Sequence, residues 1–161
     1  DKYFEHTEDI TRDGIIGNYV HGNEPSHHVA YLYNITKSPW KTQARVRQII
    51  RNQYHNGHAG LGGNDDCGQM SAWYLFTALG FYPVAPGEDN YWIGSPLVKS
   101  AKVNLENGRS LSIVARNQSE KNVYVKSVSL NGRKLADFLL PYSSIINGGE
   151  LIFEMSNKPN K

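Results

Sequence analysis

Three Asn-Gly dipeptides, the strongest short-range signal for a β-hairpin turn, lie in the second half of this 161-residue chain. They begin at Asn107, Asn131 and Asn147. Apolar residues alternate with polar ones on both sides of the first turn (Val103, Leu105, Leu111 and Ile113). This pattern predicts an antiparallel β region toward the C-terminus.

The first half has the spacing and the start and stop signals of helices. One helix is predicted over residues 25–36, a second from Pro39 to about Gly57 with Ser38 as its N-cap, and a third over residues 68–79. The third is apolar on most sides, which predicts that it is buried all round, including its N-terminus. Helices followed by strands, without alternation, predict an α+β fold.

The charge balance and the composition exclude several classes of protein. Lys and Arg total 17 against 15 Asp and Glu, so the formal net charge of +2 predicts neither a nucleic-acid partner nor an anionic membrane surface. Hydrophobic residues make up 39% of the chain, which excludes disorder, and no apolar run is long enough to span a membrane. Because the sequence begins with Asp1, we expect part of a longer protein or a processed product.

Residues 21–28 (HGNEPSHH) form the first candidate site. Imidazoles, a carboxylate, an amide and a hydroxyl lie around one turn, and such a cluster suits a metal ion or a polar substrate. No zinc-binding spacing such as H-E-x-x-H is present. An N-cap box with solvent-facing histidines explains the same residues, so the chemistry leaves both interpretations open.

Residues 60–69 (GLGGNDDCGQ) form the second candidate site. Asp65 and Asp66 precede the third predicted helix, where the helix dipole favours ionised carboxylates that suit a general base or a calcium ion. The alternative is a capping Asp beside a solvated neighbour. Four glycines between positions 60 and 68 favour a site, because they let a ligand approach the backbone. We expect Cys67 to be a small buried thiol and not a nucleophile.

Several longer motifs occur in a characteristic order. Residues 21–28 are followed by YLYN at 31–34 and PWKTQ at 39–43, and then by GLGGNDDCGQMSAWY at 60–74 and ALGFYP at 78–83. With these motifs the chain resembles glycoside hydrolase family 92, whose members are calcium-dependent, inverting exo-α-mannosidases. The resemblance is specific over residues 14–86, whereas residues 87–161 are similar to the family's terminal β region only in general character.

The resemblance implies a full enzyme several times longer, with an N-terminal β-sandwich domain and a catalytic (α/α)6 barrel. Residues 1–86 would be the C-terminal part of that barrel, and residues 87–161 a C-terminal antiparallel β region. An inverting hydrolase needs an acid and a base, and the family's general acid belongs to a motif that we place before Asp1. The resemblance also implies an extracytoplasmic enzyme, which is periplasmic, on the cell surface or secreted.

The resemblance implies roles for single residues as well. Asp66 is expected to be the general base with Asp65 as its helper, and Glu24 with Asn23 is expected to belong to the calcium site. The other expected site residues bind the substrate (His21, His27, His28 and Asn64). The expected partners are mannose-containing glycans, such as mannan or N-glycans with α-1,2 linkages, and the rest of the same enzyme.

Two other classes of protein remain open. A non-catalytic carbohydrate-binding module would use the aromatic side chains of the β region, and sugar binding by residues 87–161 alone would favour it. A metal-dependent hydrolase would use a mixed set of ligands (His21, Glu24, His27 and His28), and bound zinc would favour it. For the chain by itself, we expect partial folding, self-association through uncovered apolar surface, and no hydrolysis of mannosides.

Overall fold

The computed structural model describes Phe4 and residues 15–161, and its two long helices lie in the first half. A hairpin of two short strands comes first, β1 (Ile15–Ile16) and β2 (Tyr19–Val20). Two 3-10 helices follow, Glu24–Ser26 and Val29–Asn34. Two longer helices complete this half, α1 (Pro39–Gln53) and α2 (Gln69–Leu79).

The second half is built from two sheets. Its elements are β3 (Phe81–Tyr82), β4 (Asn90–Ile93), β5 (Ser100–Asn104), β6 (Ser110–Arg116), β7 (Tyr124–Leu130), β8 (Arg133–Lys134), β9 (Leu139–Pro141), α3 (Tyr142–Ile145) and β10 (Gly149–Ser156). One sheet has the order β5-β6-β10-β7-β8, and the other has the order β3-β4-β9. The predicted α+β class is confirmed.

The Asn-Gly turns differ in what they connect. The turns at Asn107 and Asn131 close the predicted hairpins, in which Asn104 pairs with Ser110 and Leu130 with Arg133. The third turn instead leads from α3 into β10, which lies between β6 and β7. Among the described strands, only β10 and β6 run parallel. β6 and β7 run in opposite directions, so a strand between them must be parallel to one of the two.

The predicted helix over residues 25–36 is wrong in type. That segment forms two short 3-10 helices in which backbone bonds join residues three apart, such as Tyr31 N–H to His28 C=O at 2.9 Å. Pro25 begins the segment without an N–H to donate, and Lys37 ends it with a left-handed backbone (φ 54°). Both signals are compatible with either type of helix, so they do not select the α form.

The two predicted α-helices are confirmed with small changes. Helix α1 begins at Pro39, and Ser38 occupies the N-cap position, but its hydroxyl donates to the Thr36 carbonyl (3.4 Å) and not to the helix. Helix α2 is not buried all round, because Leu75 is 62% exposed. Its N-terminal approach is also open to solvent, since Asn64, Asp66 and Cys67 are exposed.

Two hydrophobic clusters form the core. One joins the two sheets through residues such as Phe153 of β10 and Ile93 of β4, and the other joins the first half around Tyr19, Val46 and Trp73. Phe76 of α2 packs against both clusters. The proposed boundary at residue 86 stays a prediction. Within the described residues, no helix is both long and apolar enough to cross a membrane.

Buried polar side chains tie helix α1 to the second half of the chain. The Arg47 guanidinium donates to the Pro96 carbonyl (2.8 Å), and the Gln43 Oε1 accepts the Val125 N–H (3.0 Å). Both side chains are almost fully buried. Because a buried polar group is costly unless it is hydrogen-bonded, these contacts fix where the first half lies against the sheets.

Candidate functional site

The two motifs singled out in the sequence meet in the structure through glycine. Residues 21–28 are called the histidine segment here, and residues 60–68 the acidic loop. A Cβ added to Gly63 of the acidic loop would lie 2.7 Å from the Cα of Gly22 in the histidine segment. Only two glycines permit so close an approach of the two backbones. The histidine segment and the acidic loop, which are about forty residues apart in the sequence, are therefore adjacent in space.

His21 lies at the centre of a buried chain of hydrogen bonds. Its Nδ1 is 2.8 Å from the Tyr19 hydroxyl, and its Nε2 is 2.6 Å from the Tyr54 hydroxyl, which in turn donates to the Met70 carbonyl at 3.1 Å. A carbonyl only accepts, so Tyr54 donates to Met70, His21 Nε2–H donates to Tyr54, and Tyr19 donates to Nδ1. Every group in the chain is then satisfied with a neutral imidazole.

Burial keeps His21 in that neutral form. The side chain has no exposed surface. Desolvation, helped by the nearby His27, lowers the pKa of His21 to about 3. Both ring nitrogens are already used inside the protein, so in this conformation His21 offers neither to a sugar or a metal ion. Its expected role in substrate binding stays a prediction, and the geometry favours a supporting role.

His27 has a fixed tautomer for the same reason. Its Nε2–H donates to the His21 carbonyl (2.9 Å), and its Nδ1 accepts from the Gln69 amide (3.1 Å). The ring stacks on that of His21 with centroids 4.7 Å apart, and Trp73 Nε1–H donates to the His27 carbonyl at 3.1 Å. Burial lowers the pKa of His27, although the bond to the His21 carbonyl and the charge of Glu24 oppose the shift.

An open cleft of about 700 Å³ lies beside the histidine segment. Glu24, His27 and His28 line one part of it, and Gln69 and Tyr82 line another. The Gln69 amide donates both to His27 and to the Tyr82 hydroxyl (3.1 Å). The cleft therefore combines a carboxylate, imidazoles, an amide and a phenol around a space large enough for a sugar ring.

The two carboxylates of the acidic loop have different environments. Asp65 is half-buried, its Oδ1 accepts the Ser71 N–H (2.9 Å), and its backbone carbonyl accepts the N–H groups of Gly68 and Met70. Asp66 is exposed and has a left-handed backbone (φ 45°). Asp65 thus holds the start of α2, as the capping interpretation expects, whereas Asp66 faces solvent. The prediction that Cys67 is buried is wrong, because the turn places it at the surface.

The donor set fits a hard cation only in part. Asn23 is exposed and Glu24 is half-buried at the cleft, and both carry oxygen donors that suit calcium. Within the described residues, no group of three or more His, Cys, Asp or Glu side chains is placed to hold a metal ion. Asn23 and Glu24 can supply part of a calcium site, and the remaining donors would have to come from elsewhere. The hydrogen bonds of His21 and His27 count against the zinc-type alternative.

Sequence reasoning missed several residues of this region. No role at the site was predicted for Tyr54 or Tyr82, yet each hydroxyl joins a hydrogen bond there. Gln69 lies in the second candidate site, but no role was predicted for it; as the polar first residue of a mostly apolar helix it carried a usable signal. No sequence pattern pointed to Tyr19. Its partner His21 was expected to face solvent or to bind a ligand, and not to accept a hydrogen bond inside the protein.

Comparison with known proteins decides the family. A profile of the glycosyl hydrolase family 92 catalytic domain matches residues 1–157. The chain belongs to glycoside hydrolase family 92. The family expected from the ordered motifs is therefore confirmed, and with it the expectation of a glycoside hydrolase sequence.

Solved family 92 structures share the fold. An α-mannosidase of Bacteroides thetaiotaomicron is 49% identical, with a TM-score of 0.93 over 99% of this chain. The same protein has a structure in complex with mannoimidazole. An inverting mannosidase of that organism is 40% identical over 89% of this chain, with a TM-score of 0.83. This chain covers 21% and 20% of those two proteins.

A fungal protein is a more distant relative of the chain. A protein of Arthroderma benhamiae, described as an uncharacterized secreted glycosidase, is 29% identical over 133 residues, which are 81% of this chain and 17% of that protein. This chain thus spans about a fifth of the length of the relatives that it matches. The roles of single site residues stay predictions.

Proposed function

We propose that this chain forms the C-terminal part of an inverting exo-α-mannosidase. The α-mannosidase relative at 49% identity and the inverting relative at 40% identity support the reaction. The mannoimidazole complex of the first supports a mannose-type substrate. We assign a preference for α-1,2 linkages in mannan or N-glycans, and an extracytoplasmic location that the secreted fungal relative supports.

The difference between Asp65 and Asp66 carries the assignment of the base. Asp65 is anchored to the start of α2, while the next residue projects an exposed carboxylate from the same turn. Asp66 then accepts a proton from water as the water oxygen attacks the anomeric carbon, opposite the leaving group. The C1–O bond breaks, and an acid from the rest of the enzyme protonates the departing oxygen. Asp65 keeps the turn in place as a helper.

Substrate and calcium are assigned to the neighbouring groups. His27 and His28 line the cleft, and Asn64 is exposed beside Asp65. His21 is buried and stacks on the ring of His27. Asn23 and Glu24 would contribute oxygen donors to calcium. Calcium bound there would supply charge that holds mannose hydroxyls and favours distortion of the sugar ring.

The test uses the full-length enzyme that carries this chain, with an aryl α-mannoside and α-mannobiose as substrates. We expect hydrolysis that first releases β-mannose, seen by NMR, and that stops after chelation and returns with calcium. Release of α-mannose would contradict inversion. Full activity after chelation, or recovery with zinc alone, would contradict the calcium assignment.

The isolated chain provides a separate test. It lacks the proposed acid, so we expect no turnover of either mannoside, together with self-association measured by light scattering. Turnover that disappears in Asp66→Asn would place the acid within these 161 residues. Sugar binding by residues 87–161 alone would favour the binding-module alternative.

A further inference from the structure

The acidic loop contains an unusual run of backbone conformations. Asp66, Cys67 and Gly68 all have positive φ, at 45°, 56° and 92°. Residues other than glycine rarely adopt this left-handed backbone conformation, and they keep it only when the surrounding structure holds them there. The residue that carries the proposed base is therefore part of a strained turn, and contacts outside the turn must hold it.

Two sets of hydrogen bonds hold the end of this turn. Asp65 accepts the N–H of Met70 (3.2 Å) through its backbone carbonyl and the N–H of Ser71 (2.9 Å) through its side chain. On the other side, the Met70 carbonyl accepts the Tyr54 hydroxyl (3.1 Å). Met70 is thus fixed at its N–H by Asp65 and at its carbonyl by Tyr54, two residues after the last strained residue, Gly68.

Tyr54 is itself held in position. His21 donates to its hydroxyl (2.6 Å), and Tyr19 donates to His21 (2.8 Å). Tyr19 and His21 have no exposed surface, and His21 packs edge-on against Trp73 of α2 with centroids 4.4 Å apart. A fully satisfied polar chain in an apolar core specifies one arrangement, because any other leaves a buried donor unpaired.

We propose that the hydrogen-bonded chain Tyr19–His21–Tyr54 positions the strained turn and, through it, the Asp66 carboxylate. This inference rests on the proposed role of Asp66 as general base. Tyr54 reaches Asp66 only through Met70 and the turn, so it is a positioning residue and not a catalytic one. A displacement of about 1 Å at a reacting group can cost about 100-fold in rate, so loss of the Tyr54 hydroxyl should slow the chemical step.

The first measurement compares Tyr54→Phe with a matched control in the full-length enzyme. Tyr54→Phe removes one oxygen and is expected to lower kcat by about 10- to 100-fold while KM changes little. Tyr74→Phe is the control, since the Tyr74 ring packs on Tyr54 with centroids 4.9 Å apart but takes no part in the chain. Tyr74→Phe should keep a normal kcat. Equal losses in the two variants would overturn the inference.

The second variant lies at the far end of the chain. Tyr19→Phe leaves the His21–Tyr54 and Tyr54–Met70 bonds in place, so we expect a fall in kcat that is smaller than that of Tyr54→Phe. This variant also keeps the inference testable if Tyr54→Phe fails to fold. A normal kcat in Tyr19→Phe would remove Tyr19 from the positioning chain and contradict the inference as stated.

A double-mutant cycle separates positioning from general support of the fold. If Tyr54 acts through Asp66, Tyr54→Phe should have no further effect on kcat once Asp66→Asn is present. Additive losses would overturn the inference alone. A near-normal kcat for Asp66→Asn would instead overturn the proposed role of Asp66 and the inference with it, so the two failures are distinguishable.

Discussion

The buried histidines of the histidine segment and the exposed residues of the acidic loop lie in neighbouring segments, yet their environments are opposite. His21 and His27 are 0% and 2% exposed and use all four of their ring nitrogens in internal hydrogen bonds. Asn64, Asp66 and Cys67 are exposed. His21 and His27 therefore hold one internal arrangement, whereas Asn64, Asp66 and Cys67 are accessible from solvent.

The largest expected effect tests the exposed side of this comparison. Asp66→Asn in the full-length enzyme should lower kcat by about 10²- to 10⁴-fold, because a general base acts in the transition state, while KM changes little. The melting temperature should not change, since the side chain is exposed and Asn tolerates the left-handed backbone. Activity assays and thermal melts check the two halves of this prediction. A normal kcat would favour the alternative interpretation, in which Asp66 is only a solvated neighbour of a capping residue.

The next effect tests the buried side. His21→Leu removes the hydrogen bonds that the imidazole makes with the Tyr19 and Tyr54 hydroxyls, and the Tyr19 side chain is fully buried. The loss of two buried hydrogen bonds should lower the free energy of unfolding by about 2 kcal/mol. Urea titration measures it. His58→Leu is the control, because His58 is exposed and its replacement should change stability by less than about 0.5 kcal/mol. Equal stability of the two variants would contradict the buried network.

Acid should affect the same segment. Because the pKa of His21 is lowered to about 3 in the folded chain and is about 6.5 when unfolded, the unfolded chain binds more protons below pH 6.5. Stability is therefore complete above that pH and falls as pH drops toward 3, by about 2 kcal/mol between pH 7 and pH 5 from His21 alone. The lowered pKa of His27 acts in the same direction.

Comparison with the His21→Leu variant isolates the contribution of His21 to the pH dependence of stability. Both proteins contain the same carboxylates, so the difference between their unfolding free energies at pH 5 and at pH 7 reports mainly His21. We expect the variant to lose much less stability on acidification than the original chain. Parallel pH profiles would mean that His21 is not held neutral by burial.

The elements that were predicted correctly are those that a periodic sequence pattern marks. Alternation around Asn107 located a hairpin, and helical spacing with Pro39 and Gly80 located both α-helices. The error at residues 25–36 arose because Pro25 signals where a helix begins but not whether its bonds span three or four residues. The place of β10 between β6 and β7 depends on pairing between distant segments, which no local pattern encodes.

The site was harder to predict for a different reason. The sequence shows that residues 21–28 and 60–68 are rich in polar groups, but not which of them face inward. His21 is buried because Tyr19 and Tyr54, from two other elements, satisfy its nitrogens. Cys67 is exposed because a left-handed turn rotates it outward. Both outcomes depend on partners or backbone angles that residue type alone does not specify.

The smallest effect compares the two neighbouring carboxylates directly. Asp65→Ala removes the acceptor of the Ser71 N–H at the start of α2 and should lower the free energy of unfolding by about 1 kcal/mol, as loss of a helix-capping oxygen does. Asp65→Asn keeps an acceptor oxygen of the same reach, so it should cost only a few tenths of a kcal/mol. Asp66→Asn serves as the matched control with no loss. Urea titration of the three variants distinguishes them, and a loss in Asp66→Asn as large as that in Asp65→Ala would mean that the two side chains share the structural task. The observed geometry gives that task to Asp65, since its carboxylate accepts the Ser71 N–H at the start of α2, whereas the Asp66 side chain is exposed.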